Sequence, residues 1–142
     1  GALRLDRMLN MSVPSNYGFI PQTLSDNNRP LGVFIFCSSW LPPLSIIPIV
    51  PERIVHAMDG DMVDINVIAT VRGDHLEWVG AEKRTNCVLQ YLQNYKKNMK
   101  ILSVLDHKVA ITAIQIAHGN YMDHYGIDTA IIPEVLNGLD IT

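Results

Sequence analysis

An α+β fold, with short strands first and helices after, is predicted by three observations on the 142-residue sequence. Up to about residue 85, apolar runs of five to eight residues alternate with Pro, Gly and Asn clusters, the texture of strands joined by turns. Beyond that point the apolar residues recur at three- and four-residue spacing, the period of helices lying on a core. With 48% hydrophobic and 18% charged residues, the chain can close its own core, and no repeat or linker divides it. One domain is therefore expected over residues 1–142.

Taken in order, Tyr17-Gly18-Phe19 reads as a buried aromatic turn. Residues 32–37 (GVFIFC) form a strand, being β-branched or aromatic almost throughout. Residues 46–50 and 53–58 read as two more strands, each next to proline, with Pro48 marking an edge or a bulge. In the strand over 64–71, alternation puts Ile65, Val67, Ala69 and Val71 on one face and Asp64, Asn66, Ile68 and Thr70 on the other. Thr85 or Asn86 can cap a helix running to about Asn98, with Val88, Leu92 and Tyr95 on its apolar side and Lys96, Lys97 and Lys100 near its negative pole. A second helix over 109–125 carries Ile111, Ile114, Ala117 and Tyr121 on its stripe and stops at Gly126. Residues 127–142 fit an irregular strand or a short helical turn.

Charge and composition exclude several function classes. Fourteen acids against eleven bases give a net charge of −3, so non-specific attraction to nucleic acid or to an anionic membrane has no global basis. Residues 30–51 carry no charge, yet Pro42, Pro43, Pro48 and Pro51 would each remove a helical hydrogen bond, which argues against a membrane-spanning helix there. The two cysteines, Cys37 and Cys87, have no metal-ligand spacing and read as buried thiols. The chain opens at Gly1 without a basic-then-apolar leader, so no signal peptide is expected, and a start within the domain is. His56, His75, His107, His118 and His124 show no ligand spacing and read as surface residues.

The sharpest local feature is Asp59-Gly60-Asp61-Met62-Val63-Asp64, three carboxylates in six residues at the mouth of a strand. Crowded carboxylates repel one another unless a cation or hydrogen-bond donors offset the repulsion. Two readings stay open at this point, a site for a hard divalent ion and a solvated acidic turn. An EF-hand is excluded because no closing Glu follows at the required spacing.

A longer pattern adds to this. Pro14-Ser15-Asn16-Tyr17-Gly18-Phe19-Ile20-Pro21-Gln22-Thr23-Leu24 resembles the P-x-N-Y-G-F-I-P-x-T-L segment of soluble (family I) inorganic pyrophosphatases. Gly1-Ala2-Leu3-Arg4-Leu5-Asp6-Arg7 is similar to the family's G-x-L-x-V-D-R entry, and Asp59 and Asp64 match its D-x-x-x-x-D loop. Tyr91-Leu92-Gln93-Asn94-Tyr95-Lys96-Lys97-Asn98 resembles its F-F-E-D-Y-K-K-N helix, so the likeness runs from residue 1 to about 125.

The resemblance implies a five-stranded OB-like β-barrel with flanking C-terminal α-helices, the first strand lying before Gly1. It implies Mg²⁺-dependent hydrolysis of pyrophosphate to two phosphates, in which acidic side chains hold the ions and basic or hydroxyl groups hold phosphoryl oxygens. Position by position, Tyr17, Asp59 and Asp64 would be catalytic, Arg7, Tyr17, Tyr95 and Lys96 would bind phosphate, and Asp59 and Asp64 would be metal ligands. A cytoplasmic or organelle-stromal home would go with the family.

The same alignment shows losses. The family's D-x-D-P-x-D-V falls on Asn27-Asn28-Arg29-Pro30-Leu31-Gly32-Val33, so three aspartates are replaced at Asn27, Arg29 and Gly32, and a family lysine is Asn66 here. An arginine where a carboxylate stood repels a cation, and removal of even one preorganised electrostatic group costs on the order of 100-fold in rate. Impaired hydrolysis is therefore expected. The alternative is a catalytically dead pyrophosphatase-like pseudoenzyme serving as a structural or partner-binding subunit. The apolar stretch around Phe34, Phe36, Trp40, Leu41, Leu44 and Ile46 favours that alternative, because its exposure as a patch would imply a protein partner or a homo-oligomer.

Overall fold

The computed structural model describes residues 15–38, 41–74, 80–95 and 97–126. Among these residues five strands and two helices follow one another as β1 (Asn16–Phe19), β2 (Gly32–Phe36), β3 (Ile49–Asp59), β4 (Met62–Val71), α1 (Ala81–Tyr95), β5 (Met99–Leu105) and α2 (His107–Tyr125). The strands form one mixed sheet in the order β1-β2-β4-β3-β5. β2 and β4 run parallel, and the other neighbours are antiparallel.

Period-2 alternation gives each face its own cover. Phe34, Phe36, Val55 and Ile68 point to the side where α1 lays down Cys87, Val88, Tyr91 and Leu92. Val33, Ile54, Val67 and Ala69 point to the other side, against Ala110, Ile114 and Ala117 of α2. The α+β class read from the sequence is what the chain adopts, and both cysteines are buried. Among the described residues no helix is long and apolar enough to cross a membrane.

Several elements depart from the sequence reading, each for a physical reason. The two strands expected on either side of Pro51 are one strand, β3, because a register shift between Pro51 and Arg53 absorbs the proline that lacks an N–H. Tyr17-Gly18-Phe19 is not a buried turn but the edge strand β1, with Phe19 66% exposed. A strand also stands between the helices: β5 was concealed by Leu102 and Val104, apolar residues that lie on its outward side and break the apolar-polar alternation. Lys100 accordingly belongs to β5 and not to a helix end.

The helix ends show the same play of local chemistry. α1 begins at Ala81, before the expected cap, and the Thr85 hydroxyl donates back to the Ala81 carbonyl one turn earlier at 2.9 Å instead of capping. The Arg84 guanidinium makes two bonds to the Glu52 carboxylate, at 2.9 and 2.5 Å, and fixes α1 to β3. In α2, Asp106 caps the first turn by accepting from the Val109 N–H at 3.2 Å, and Gly126 closes the helix at φ 67°, as read from the sequence. The buried stripe of α2 is Ala110, Ile114, Ala117, His118 and Met122, turned by about one residue from the expected one. His118 is not a surface residue: it is 2% exposed, and its Nδ1 lies 2.8 Å from the Gln22 carbonyl. Trp40, His75 and the tail expected over 127–142 lie outside the described residues.

Candidate functional site

The α1-facing side of the sheet changes character along its length. At one end lie the rings and aliphatic chains under α1, and at the other the polar residues of β1, β3 and β4 gather around Gly32 of β2. The register explains the gathering. Gly32 lies opposite Asn66, Phe19 opposite Gly32 and Tyr17 opposite Phe34, so these residues share one face. Asp64 lies opposite Ala57 and Asp59 opposite Met62, which places the two residues diagonally on that face, their Cα atoms about 7–8 Å apart in a regular antiparallel pair. Gly60, at φ 62°, supplies the left-handed residue that the tight turn between them needs.

A chain of hydrogen bonds crosses the strands here. The Tyr17 hydroxyl donates to Asn66 Oδ1 at 3.1 Å, and Asn66 Nδ2 donates to Asp64 Oδ1 at 3.2 Å. Asn66 is 2% exposed and Asp64 half-buried, whereas Asp59 stands exposed at the hairpin end. The Tyr17 ring is steadied edge-on by Phe34, with centroids 4.8 Å apart, and by Phe19 at 6.3 Å.

The segment before β2 is built as a rigid loop. Thr23 Oγ1 donates to the Ile20 carbonyl at 2.6 Å and accepts the Leu31 N–H at 3.1 Å. Asn27 is its staple: Nδ2 donates to the Val63 carbonyl at 2.8 Å, while Oδ1 accepts from the Arg29 N–H at 3.0 Å and from the Ser25 hydroxyl. An aspartate could accept these two bonds but could not donate the first. Arg29 is exposed.

A side chain at position 32 would have to displace two neighbouring side chains. A Cβ built there would overlap the Tyr17 hydroxyl and Asn66 Oδ1 far inside van der Waals contact, with Tyr17 Cζ 3.0 Å away. The space beside Gly32 is filled by the Tyr17–Asn66 hydrogen bond itself.

Of the residues singled out in the sequence, the structure brings Tyr17 and Asp64 together through Asn66 and sets Asp59 on the same face. Arg7 and Lys96 lie outside the described residues, and Tyr95 ends α1 with its side chain outside the description. Sequence reasoning missed Asn66 as the hub and Asn27 as the staple. The two-residue spacing of Asp64 and Asn66 signalled a shared face, but the Tyr17 partnership spans 49 positions and no local pattern encodes it.

Comparison with known proteins gives this geometry its family. Residues 1–122 match the family model described as inorganic pyrophosphatase, and the chain belongs to that family. It is similar to an inorganic pyrophosphatase of Sulfolobus acidocaldarius, 37% identical over 71 residues that make up 49% of this chain and 41% of that protein. A soluble inorganic pyrophosphatase 2 of Chlamydomonas reinhardtii is 28% identical over 138 residues, 88% of this chain and 71% of that one. Among solved structures, a type I inorganic pyrophosphatase from P. falciparum superposes with a TM-score of 0.70 at 20% identity, over 80% of this chain and 46% of that chain, which shows the common fold. The OB-like architecture expected from the resemblance is thus the one the chain shares with these structures. The match to the Sulfolobus protein spans about two fifths of that relative's length.

The family implies divalent metal, which carboxylates on this face would have to hold. Among the described residues no three of His, Cys, Asp or Glu stand together as ligands for a metal ion. Asp59 and Asp64 stand on this face, one Asp64 oxygen takes an amide N–H, and position 32 carries no carboxylate, the volume beside it being taken by the Tyr17 and Asn66 side-chain ends. These residues do not fit a multi-ion cluster.

Proposed function

We propose that this chain is one inorganic-pyrophosphatase-like domain over residues 1–142, turned towards pyrophosphate or phosphate, in which Mg²⁺-assisted hydrolysis is impaired. One observation carries the reading: the place of a third ligand carboxylate, at Gly32, is filled by the Tyr17–Asn66 pair. In this reading Asp59 and Asp64 are the carboxylates left to meet a single Mg²⁺, which such ions accept when substrate phosphates complete the shell. Tyr17, with Arg7, Tyr95 and Lys96 by family position, faces the phosphoryl oxygens. A cytoplasmic or stromal home accords with this role.

The test is phosphate release from pyrophosphate by the purified chain, with and without Mg²⁺, beside an Asp59→Asn/Asp64→Asn variant. The reading predicts release within about tenfold of that variant, since one missing preorganised group alone costs on the order of 100-fold. Mg²⁺-dependent release far above the variant would show a working site and overturn it.

A second reading, the pseudoenzyme that docks a protein partner or a second copy, is favoured by a different observation. A mainly apolar cleft of about 680 Å³ lies between β1 and residues 41–47, and Leu44 and Ile46 stand almost fully exposed beside it. Leu44 is held at φ 65°, a conformation that costs a non-glycine residue energy. Sedimentation velocity of the chain and a Leu44→Ser/Ile46→Ser variant separates the readings. A concentration-dependent oligomer lost in the variant supports self-association through this patch.

A further inference from the structure

Two changes on the site face are physically one. Gly32 and Asn66 lie opposite each other on the parallel strands β2 and β4, and Asn66 Oδ1 occupies the volume that a side chain at position 32 would enter. The Tyr17 hydroxyl occupies the rest, held there by its bond to Asn66 and by its ring contacts with Phe34 and Phe19. The Asn66 amide then reaches Asp64, so the same residue that fills the space beside position 32 also occupies one oxygen of the remaining carboxylate.

We infer that Tyr17, Gly32 and Asn66 form a lock that excludes any ligand side chain from position 32, and that this position reopens only when residue 66 is changed with it. A carboxylate introduced at 32 alone meets two oxygens and must displace them from a well-packed site, one of which is tied to Asp64 through Asn66. Shortening residue 66 removes one of those oxygens and one bond that holds the Tyr17 hydroxyl, so that a small shift of the Tyr17 ring makes room for the new carboxylate, to which that hydroxyl can donate. The lock makes position 66 a specificity-determining residue for cation binding by this face. The consequence for cations rests on the reading of position 32 as a ligand position, while the steric coupling does not.

The experiment is a four-member cycle of wild type, Gly32→Asp, Asn66→Ala and Gly32→Asp/Asn66→Ala, read by thermal unfolding and by Mn²⁺ titration followed by electron paramagnetic resonance. Gly32→Asp is expected to lower Tm by roughly 5 °C or more, the scale of overpacking in a close-packed site, and to bind Mn²⁺ no better than wild type. The double variant is expected to recover most of that Tm loss and to bind Mn²⁺ about tenfold more tightly than wild type, within the range by which groups around a metal change its affinity. Recovery of Tm without a gain in Mn²⁺ affinity would uphold the lock and count against position 32 as a ligand position. Gly32→Asp that melts like wild type, or a double variant whose Tm loss equals the sum of the two single losses, would overturn the lock.

Discussion

The two ends of the α1-facing side of the sheet follow one rule of alternation and reach opposite results. Under α1, Phe34, Phe36, Val55 and Ile68 meet Val88, Tyr91 and Leu92 in a close-packed core. A few residues further along the same strands, Tyr17, Gly32, Asp64 and Asn66 meet in a hydrogen-bonded polar cluster. Apolar packing tolerates exchange of one hydrophobic residue for another, whereas a cation site depends on each donor. The family's fold can therefore persist at 20% identity to a solved relative while the residues of its polar end change.

The strongest way to break the comparison is at the packed end. Phe36 is fully buried, so Phe36→Ala should cost about 3–5 kcal/mol in urea unfolding. A loss below about 1 kcal/mol would mean that the core under α1 is looser than the burial implies.

At the polar end, Asn27→Asp sharpens the contrast. It replaces the amide that donates to the Val63 carbonyl with an acceptor, so a loss of about 1–3 kcal/mol is expected at neutral pH. The loss should shrink in acid as the new carboxyl group protonates and regains a donor. A pH-independent loss would point to a role for Asn27 other than this bond.

The smallest effect concerns Cys87. Burial pushes its thiol pKa up, and the Lys83 ammonium offsets only part of that rise. The folded state holds the thiol proton more tightly than the unfolded state, so the resulting stability is complete below the unfolded thiol's pKa and is lost as pH rises through the raised value. Wild type should therefore lose slightly more Tm than Cys87→Ala between neutral and alkaline pH. Equal slopes would remove Cys87 from the account.

How much of this was legible in the sequence depended on distance along the chain. β2, β4 and the Gly126 stop were readable because alternation and a left-handed cap are local. β5 was not, since Leu102 and Val104 are exposed on an edge strand where packing does not enforce polarity. His118 looked like a surface histidine because its partner, the Gln22 carbonyl, is 96 positions away. The family motif singled out Tyr17, Asp59 and Asp64, which the register sets on one face, and alternation set Asn66 beside Asp64. The crowding beside Gly32 could not be read, because it comes from three strands meeting in register.

The most direct test of the central claim, that the fold has been kept while the hydrolytic site has not, is a comparison of Mg²⁺-dependent phosphate release. Wild type would be measured beside a variant carrying the family residues, Asn27→Asp, Arg29→Asp, Gly32→Asp and Asn66→Lys, with both shown folded by their melting curves. The account predicts release by the restored variant on the order of 100-fold or more above wild type. Wild type releasing phosphate as fast as the folded restored variant would contradict it.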